Sequence, residues 1–295
     1  MQKRKKFKIP VGFWGIIFIL PAALFFLCVN VLPMLYAFFL SFHDWNLLST
    51  QKSFILLENY ARLLSDPIFF RSLFNTFLYM LISVPLELFC ALMIALALNS
   101  GIKMVTMFRV AYFIPHITSV IAAGYIWTWL YDPTFGLFNN VLSKIGWFLP
   151  FLKSTTMALP SVAIMSVWMK MGFDIIIFLA GLQGIPDTVY EAARIDGTSR
   201  FRTFYKITLP LLNPTIVFLA VMSAMRSLKM FGEVFVMTEN GGPLNSTRSI
   251  VFTIQETSFQ SHQMGYGAAM TVVLFLIIVV ITFIQMKVLT KKFKY

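Results

Sequence analysis

Residues 185–210 read IPDTVYEAARIDGTSRFRTFYKITLP, a polar segment that separates two long apolar stretches. Gly197 divides the segment in two, and glycine suits the left-handed backbone position at which helices commonly end. The segment therefore predicts two short helices with a kink between them. Ala192 and Ala193 have small side chains, so the first helix would present a low surface that another protein could approach closely.

The apolar stretches belong to a chain whose composition suits a lipid bilayer. Of the 295 residues, 58% are hydrophobic and 12% are charged, and the mean hydropathy is +0.78. Soluble domains average about 25% charged residues, and disordered chains have low hydrophobicity, so both classes are excluded. Because backbone groups in lipid must bond internally, apolar segments longer than about 20 residues are predicted to be helices. We predict an all-α membrane protein with one membrane domain, residues 13–289, and six spans at about 13–40, 70–99, 107–131, 157–182, 209–237 and 265–289.

Lysine and arginine are concentrated in alternate loops. If the N-terminus is cytoplasmic, the inside segments hold 15 of the 24 basic residues and the outside segments hold six. Cytoplasmic loops of membrane proteins carry this excess, so we predict that both termini are cytoplasmic, including the basic N-terminus 1–12 and the tail 290–295. The same placement accounts for the net charge of +12 without nucleic acid. The first apolar stretch is longer than the 7–15 residues of a signal peptide, so we expect a retained first span.

The polar segment also has an ordered spacing of particular residues. Glu191-Ala192-Ala193 is followed after three residues by Gly197, and after nine more by Ile207-x-Leu209-Pro210. This pattern resembles the EAA loop of binding-protein-dependent ABC importer permeases. The longer form from Tyr190 to Gly197 resembles the carbohydrate-uptake branch of that family.

A second segment supports the same resemblance. Thr238-Glu-Asn-Gly-Gly-Pro243, followed by Thr247, is similar to the T-x-GGP mark of the maltose-permease type of subunit. The similarity extends over all six predicted spans, although the extra N-terminal helices and large external domain of the enterobacterial maltose protein have no counterpart. The resemblance implies the type I ABC importer permease fold, with a short cytoplasmic coupling helix in the loop 185–210, between spans four and five.

The resemblance also implies a function and a set of partners. A permease of this family translocates a sugar or oligosaccharide across the bacterial cytoplasmic membrane by alternating access. It pairs with a second, different permease, two ATP-binding subunits that hold ATP and Mg, and an extracytoplasmic solute-binding protein. The residues implied in coupling to the ATPase are Tyr190, Glu191, Ala192, Ala193, Asp196 and Gly197.

No catalytic or metal-binding pattern accompanies these features. The sequence contains neither G-x-x-x-x-G-K-[ST] nor H-E-x-x-H, and its two cysteines lie in apolar stretches without metal-ligand spacing. We therefore expect no catalytic residue, metal or cofactor in this chain, and ATP hydrolysis by a separate subunit.

Ionisable residues inside predicted spans are costly and are functional candidates. Lys170 and Asp174 are four apart and could pair on one helix face. Arg226, Lys229 and Glu233, at spacings of three and four, could share a face of the next span. These charges could order the bundle through ion pairs or could line a solute pathway, and Glu87 is left unassigned. Alignment with the maltose permease places Val120 beside His116 on the pathway. The full set of pathway candidates is His116, Ser166, Trp168, Met169, Lys170, Phe173, Ser223, Ser227, Met230 and Phe231.

Two alternatives remain open from the sequence. The basic residues of spans four and five could suit glycerol-3-phosphate or another phosphorylated polyol instead of a sugar. From a different class, the charges within the spans could serve a proton relay in a secondary carrier, in which the EAA spacing would have no role.

Overall fold

The computed structural model describes residues 11–101 and 103–289, without the side chains of residues 11–14, 16 and 240. The predicted tail 290–295 and most of the predicted basic N-terminus lie outside the described residues. Within the described part of the chain, the strands are one short antiparallel hairpin, His43–Asp44 with Ser53–Phe54. The α-helices there are α1 Val11–Phe26, α2 Leu32–Leu40, α3 Glu58–Leu64, α4 Pro67–Asn99, α5 Val105–Ile117, α6 Val120–Leu130, α7 Leu137–Ser143, α8 Ala158–Gln183, α9 Asp187–Ile195, α10 Arg200–Thr203, α11 Leu209–Leu228, α12 Gly232–Met237, α13 Ile250–Gln255 and α14 Met264–Leu289.

Five helical segments in the described ranges are long and apolar enough to cross a membrane. They are Ile17–Leu40, Pro67–Asn99, Ala158–Gln183, Arg200–Leu228 and Met264–Leu289. The first of these joins α1 to α2 through a π-helical turn, Leu27–Val31. Helices α4, α8 and α14 lie within a few residues of the second, fourth and sixth predicted spans.

The third predicted span, 107–131, is not one straight helix. Helices α5 and α6 meet at a bend of 97°, and they make a sixth span only if the bent pair is counted as one. Thr118 and Ser119 both have extended backbones at the bend, with ψ of 148° and 131°. Pro115 lies inside α5, and the hydrogen bond that its missing N–H would make is to the preceding turn, so the break lies in the extended backbone of the two residues after α5.

The fifth predicted span, 209–237, differs at both ends. Its helix begins earlier, because α10, a π-helical turn at Phe204–Thr208 and α11 form one continuous segment. The predicted second short helix of the loop is therefore the start of span five. At the other end, α11 stops at Leu228, and Phe231 has φ −144° and ψ −56° before α12 begins.

One of two compact units contains the residues up to Leu64 together with Thr257–Val273. Asn59 is buried in this unit and links two of its segments, since its Nδ2 donates to the backbone oxygens of Ser41 and His43 at 2.9 and 3.0 Å. Gly265 allows a close backbone approach, because a Cβ there would lie 1.9 Å from the His43 oxygen.

The second unit comprises Ser65–Glu256 and Leu274 onward, and it contains the residues discussed below. Its core lies between α4, α8 and α11, where Ile175, Leu212 and Leu219 are at most 1% exposed. Helix α5 packs closely on α8 through Gly172, at which a Cβ would lie 2.0 Å from the Tyr112 oxygen.

Candidate functional site

Helix α9 and the turn after it form a distinct projection between two spans. Gly197 has φ +67°, which agrees with the predicted left-handed helix end, and no atom lies within 4 Å of the position a Cβ would take. Thr198 secures the turn, since its Oγ1 donates to the Ala193 oxygen at 2.7 Å. Tyr190 ties the helix to span five through a hydroxyl contact of 3.3 Å with Thr208.

The exposed side chains of this projection are acidic, basic and apolar. Glu191 and Ala192 are exposed. In the same loop, Ile195 and Phe201 are 86% and 73% exposed, and the Phe201 ring lies 4.8 Å from that of Tyr205. We call Glu191, Ala192, Ile195, Phe201 and Tyr205 the α9 face. Large apolar side chains exposed on a polar loop are typical of a protein-interaction surface.

One of the predicted coupling residues lies elsewhere. Ala193 is 4% exposed and packs inward, so Ala192 alone provides the low surface expected of both alanines. The helical period explains the difference, because adjacent residues are about 100° apart around the axis. Asp196 and Gly197 are exposed at the end of the helix.

A buried ion pair joins α8 to the short helix α12. Lys170 Nζ lies 2.6 Å from Glu233 Oε1, with side-chain exposures of 13% and 7%, and Ser166 donates to the same oxygen at 3.3 Å. The pairing corrects the expectation that Lys170 pairs with Asp174 along one helix. It instead links residues 63 positions apart, and it fastens α12 to α8.

Arg226 is the centre of a second charged cluster. Its Nη2 lies 2.8 Å from Glu87 Oε1 and 3.0 Å from Asp174 Oδ1, and it donates to Ser223 at 2.7 Å. Asp174 is fully buried and Glu87 is 1% exposed. The cluster therefore joins α4, α8 and α11, and it gives Glu87 the structural role that the sequence left unassigned. The only signal for Glu87 was a carboxylate in an apolar span.

The predicted buried pair of Lys229 with Glu233 is wrong. Lys229 is exposed, and within the described residues it makes no ion pair. The reason is local: the helix breaks between the two residues, so their spacing of four no longer places them on one helix face.

The ten predicted pathway residues fall into two groups. Five are buried inside the chain, namely Ser166, Met169, Ser223, Ser227 and Met230. The other five are partly exposed, namely His116, Trp168, Lys170, Phe173 and Phe231. Among these, the rings of His116 and Phe173 stack at 5.5 Å, and the Arg226 guanidinium lies 5.7 Å from the Phe173 ring. The exposed group thus combines flat apolar faces with hydrogen-bond donors, and it remains a prediction for contact with a solute.

The segment with the T-x-GGP mark folds into a tight loop whose two threonines are buried. Thr247 Oγ1 donates to Thr238 Oγ1 at 2.8 Å, and its N–H donates to the Gly241 oxygen at 2.9 Å. Gly241 and Gly242 have φ of +86° and +77°, a region in which only glycine is free of strain. Arg248 is the next residue in the chain. Burial lowers the pKa of its guanidinium. Its side chain forms an ion pair with Glu256.

Long apolar helices, charged clusters inside the bundle and a projecting α9 face define a multi-pass membrane permease. The chain belongs to the family described as binding-protein-dependent transport system inner membrane component, whose model matches residues 60–295. The resemblance drawn from the EAA spacing is thereby confirmed.

The curated relatives are ABC-type permease proteins of similar length. The sulfoquinovosyl glycerol transport system permease protein SmoG of Agrobacterium fabrum is 33% identical over 94% of this chain and 91% of its own. The arabinooligosaccharides transport system permease protein AraP of Halalkalibacterium halodurans is 35% identical over 94% of this chain and 88% of its own length. The multiple sugar-binding transport system permease protein MsmF of Streptococcus mutans is 32% identical, covering 97% and 98%.

A solved structure supports the fold. A chain of a bacterial ABC transporter involved in the import of alginate superposes with a TM-score of 0.83 at 22% identity, covering 96% of both chains. The predicted fold class, an all-α membrane protein with the type I importer permease fold, is confirmed.

Proposed function

We propose that this chain is the sugar- or oligosaccharide-translocating permease of an ATP-driven importer. It pairs with a second, different permease and with two ATP-binding subunits, which hold ATP and Mg. An extracytoplasmic binding protein delivers the solute, and alternating access moves it across a bacterial cytoplasmic membrane with both termini of this chain inside. In this scheme the chain performs no hydrolysis itself.

The single observation that carries the proposal is the geometry of the α9 face. A nine-residue helix stands between two spans, with Glu191 and Ala192 exposed and Ile195 uncovered. A cleft in an ATP-binding subunit is an occupant that would bury the apolar rim and pair the carboxylate. Because both spans are covalently continuous with the projection, a partner that moves α9 also moves them.

The choice of a sugar over an anionic solute rests on charge. Apart from Arg71 at the outer end of predicted span two, the charged residues of predicted spans two, four and five are three cations, Lys170, Arg226 and Lys229, and three carboxylates, Glu87, Asp174 and Glu233. Their formal sum is zero, so a phosphorylated polyol gains no net attraction from them. The relatives include permeases named for arabinooligosaccharides and for multiple sugars, which supports a saccharide.

The test is the ATPase activity of the complex, co-expressed from neighbouring genes and reconstituted in lipid with its binding protein. Binding protein loaded from a panel of neutral sugars, uronic acids and glycerol-3-phosphate is added in turn. We expect stimulation by a neutral saccharide and loss of that stimulation in Glu191→Lys. Asp44→Lys, an equal charge reversal at an exposed site in the hairpin, should keep it.

Three results would contradict the proposal. The first is the absence of any co-purifying ATPase. The second is uptake that follows a proton gradient, which would support the carrier alternative. The third is stimulation by glycerol-3-phosphate alone. That result would be consistent with an importer but would contradict a saccharide as its substrate.

A further inference from the structure

A cavity of about 480 Å³ lies beside the T-x-GGP loop, away from the charged clusters inside the bundle. Its lining comes from α6, the turn at Asp132, the loop before α8 at Lys153, and α12 with the loop after it. The volume falls within the range of small-molecule sites, about 300–1,000 Å³. In the predicted orientation the cavity opens on the external side.

The wall formed by the T-x-GGP loop is held in a fixed shape. A Cβ at Gly242 would lie 2.6 Å from Thr247 Oγ1, so the glycine permits the backbone to turn closely against Thr247. Thr238, which lines the cavity, is fixed in turn by its bonds to Thr247 and to the Val234 oxygen. The glycines of the motif thus shape one side of the cavity.

The chemistry of the lining combines an aromatic face with hydrogen-bond acceptors. Tyr125 is 65% exposed, so its ring is available to stack on a ligand. Asp132 Oδ1 accepts bonds from the N–H and hydroxyl of Thr134 and the N–H of Phe135, at 2.6–3.1 Å. These bonds hold the pKa of Asp132 below its usual value, and Lys153 lowers it further, so the carboxylate is ionised at neutral pH. Oδ2 makes none of these bonds.

The net charge of the lining disfavours an anionic ligand. Asp132 and Glu239 contribute two carboxylates and Lys153 one cation, and Glu239 and Lys153 are exposed. An anion would meet a surplus negative charge. Paired hydroxyls suit carboxylate acceptors, and the apolar C–H face of a sugar ring suits an aromatic ring.

We propose that this cavity is an external subsite for a neutral saccharide, occupied before the sugar enters the bundle. The proposal rests on the proposed function for its orientation and ligand class. Tyr125 stacks on the sugar ring, while Glu239 and Asp132 accept hydrogen bonds from its hydroxyls. The subsite would thus hold a sugar that has left the binding protein.

The experiment measures saccharide binding to the whole complex in lipid nanodiscs without binding protein, by saturation-transfer NMR titration. The probes are maltotriose, raffinose, arabinotriose and diacetylchitobiose, with a trigalacturonate as the anionic counterpart. We expect Tyr125→Ala to weaken binding of the neutral probe about threefold to tenfold, the usual range for one aromatic contact. Glu239→Gln, which is nearly isosteric, should weaken it less. Trp129→Ala, an equally exposed aromatic outside the cavity on the same helix, should bind as the unmodified complex does.

The outcomes separate this inference from the proposed function. If a neutral sugar stimulates the ATPase but Tyr125→Ala and Glu239→Gln bind it with unchanged affinity, the subsite is overturned and the importer stands. Tighter binding of trigalacturonate than of every neutral probe would also overturn the subsite. If no sugar stimulates the unmodified complex, both proposals fail.

Discussion

The contact between α5 and α8 at Gly172 gives a prediction whose size follows from the structure. A Cβ at this position would lie 2.0 Å from the Tyr112 oxygen and 2.9 Å from the Tyr112 carbonyl carbon. Ordinary contact begins at 3.4 Å, so Gly172→Ala requires the two helices to separate by about 1.4 Å. The obstacle is backbone, which no side-chain rotation can remove.

Two effects of Gly172→Ala oppose each other. Alanine in a helix interior is favoured over glycine by about 0.5–1 kcal/mol. Overpacking a close contact costs typically about 1–3 kcal/mol, and a backbone clash lies at the upper end of that range. We therefore expect a net loss of about 2 kcal/mol in stability. Separation of α5 from α8 should also disturb the stacking of His116 on Phe173, so sugar-stimulated ATPase activity should fall.

The assay is the thermal unfolding midpoint of the purified complex, read together with stimulated ATPase activity. Gly184→Ala is the matched control, because it lies at the end of the same helix and its Cβ would meet nothing closer than 3.4 Å. That variant should match the unmodified complex in both measurements. A midpoint for Gly172→Ala equal to or above that of the unmodified complex would mean that helix propensity prevails and that the close contact is not present.

Two further substitutions test the charged cluster and the loop. Arg226→Met leaves two buried carboxylates without a cation and should destabilise the complex by about 3–5 kcal/mol. Adding Glu87→Gln and Asp174→Asn removes both carboxylate charges and should reverse much of the decrease in the thermal unfolding midpoint. An unchanged midpoint in the single variant would refute a structural role for the cluster. Gly197→Pro should abolish ATPase stimulation, since proline fixes φ near −65° where the chain has +67°. Gly197→Ala meets no atom and should retain the fold with a cost of roughly 1–2 kcal/mol, so equal loss of stimulation in both variants would contradict the argument from backbone angle.

The sequence predicted those features that depend on local composition. Apolar length located α4, α8 and α14, because a bilayer imposes a minimum helix length on any span. The left-handed position of Gly197 followed from the known preference of helix ends for glycine. The EAA spacing identified the family because it is a long pattern contained within one loop.

The features that the sequence did not predict depend on contacts between distant residues. Local spacing suggested Lys170 with Asp174, but α12 brings Glu233 to Lys170, and Asp174 faces Arg226 instead. The two helix breaks were also hidden, since residues 107–131 and 209–237 are predominantly apolar and hydropathy does not record backbone direction. Pro115 was visible in the sequence, yet proline is tolerated inside membrane helices and did not by itself indicate a bend of 97°.

The charged cluster bears on how movement at α9 would reach the bundle. Helix α9 is joined to α8 at one end and, through Arg200 onward, to α11 at the other. Arg226 locks those two helices to each other through Asp174, and to α4 through Glu87. A displacement of α9 therefore acts on three helices that share buried ion pairs, and separating them would leave a buried charge unpaired. In the proposed importer, the cost of breaking these ion pairs favours movement of α4, α8 and α11 as one body over sliding of one helix past another. Helix α12 would move with them, because Glu233 is paired with Lys170 of α8.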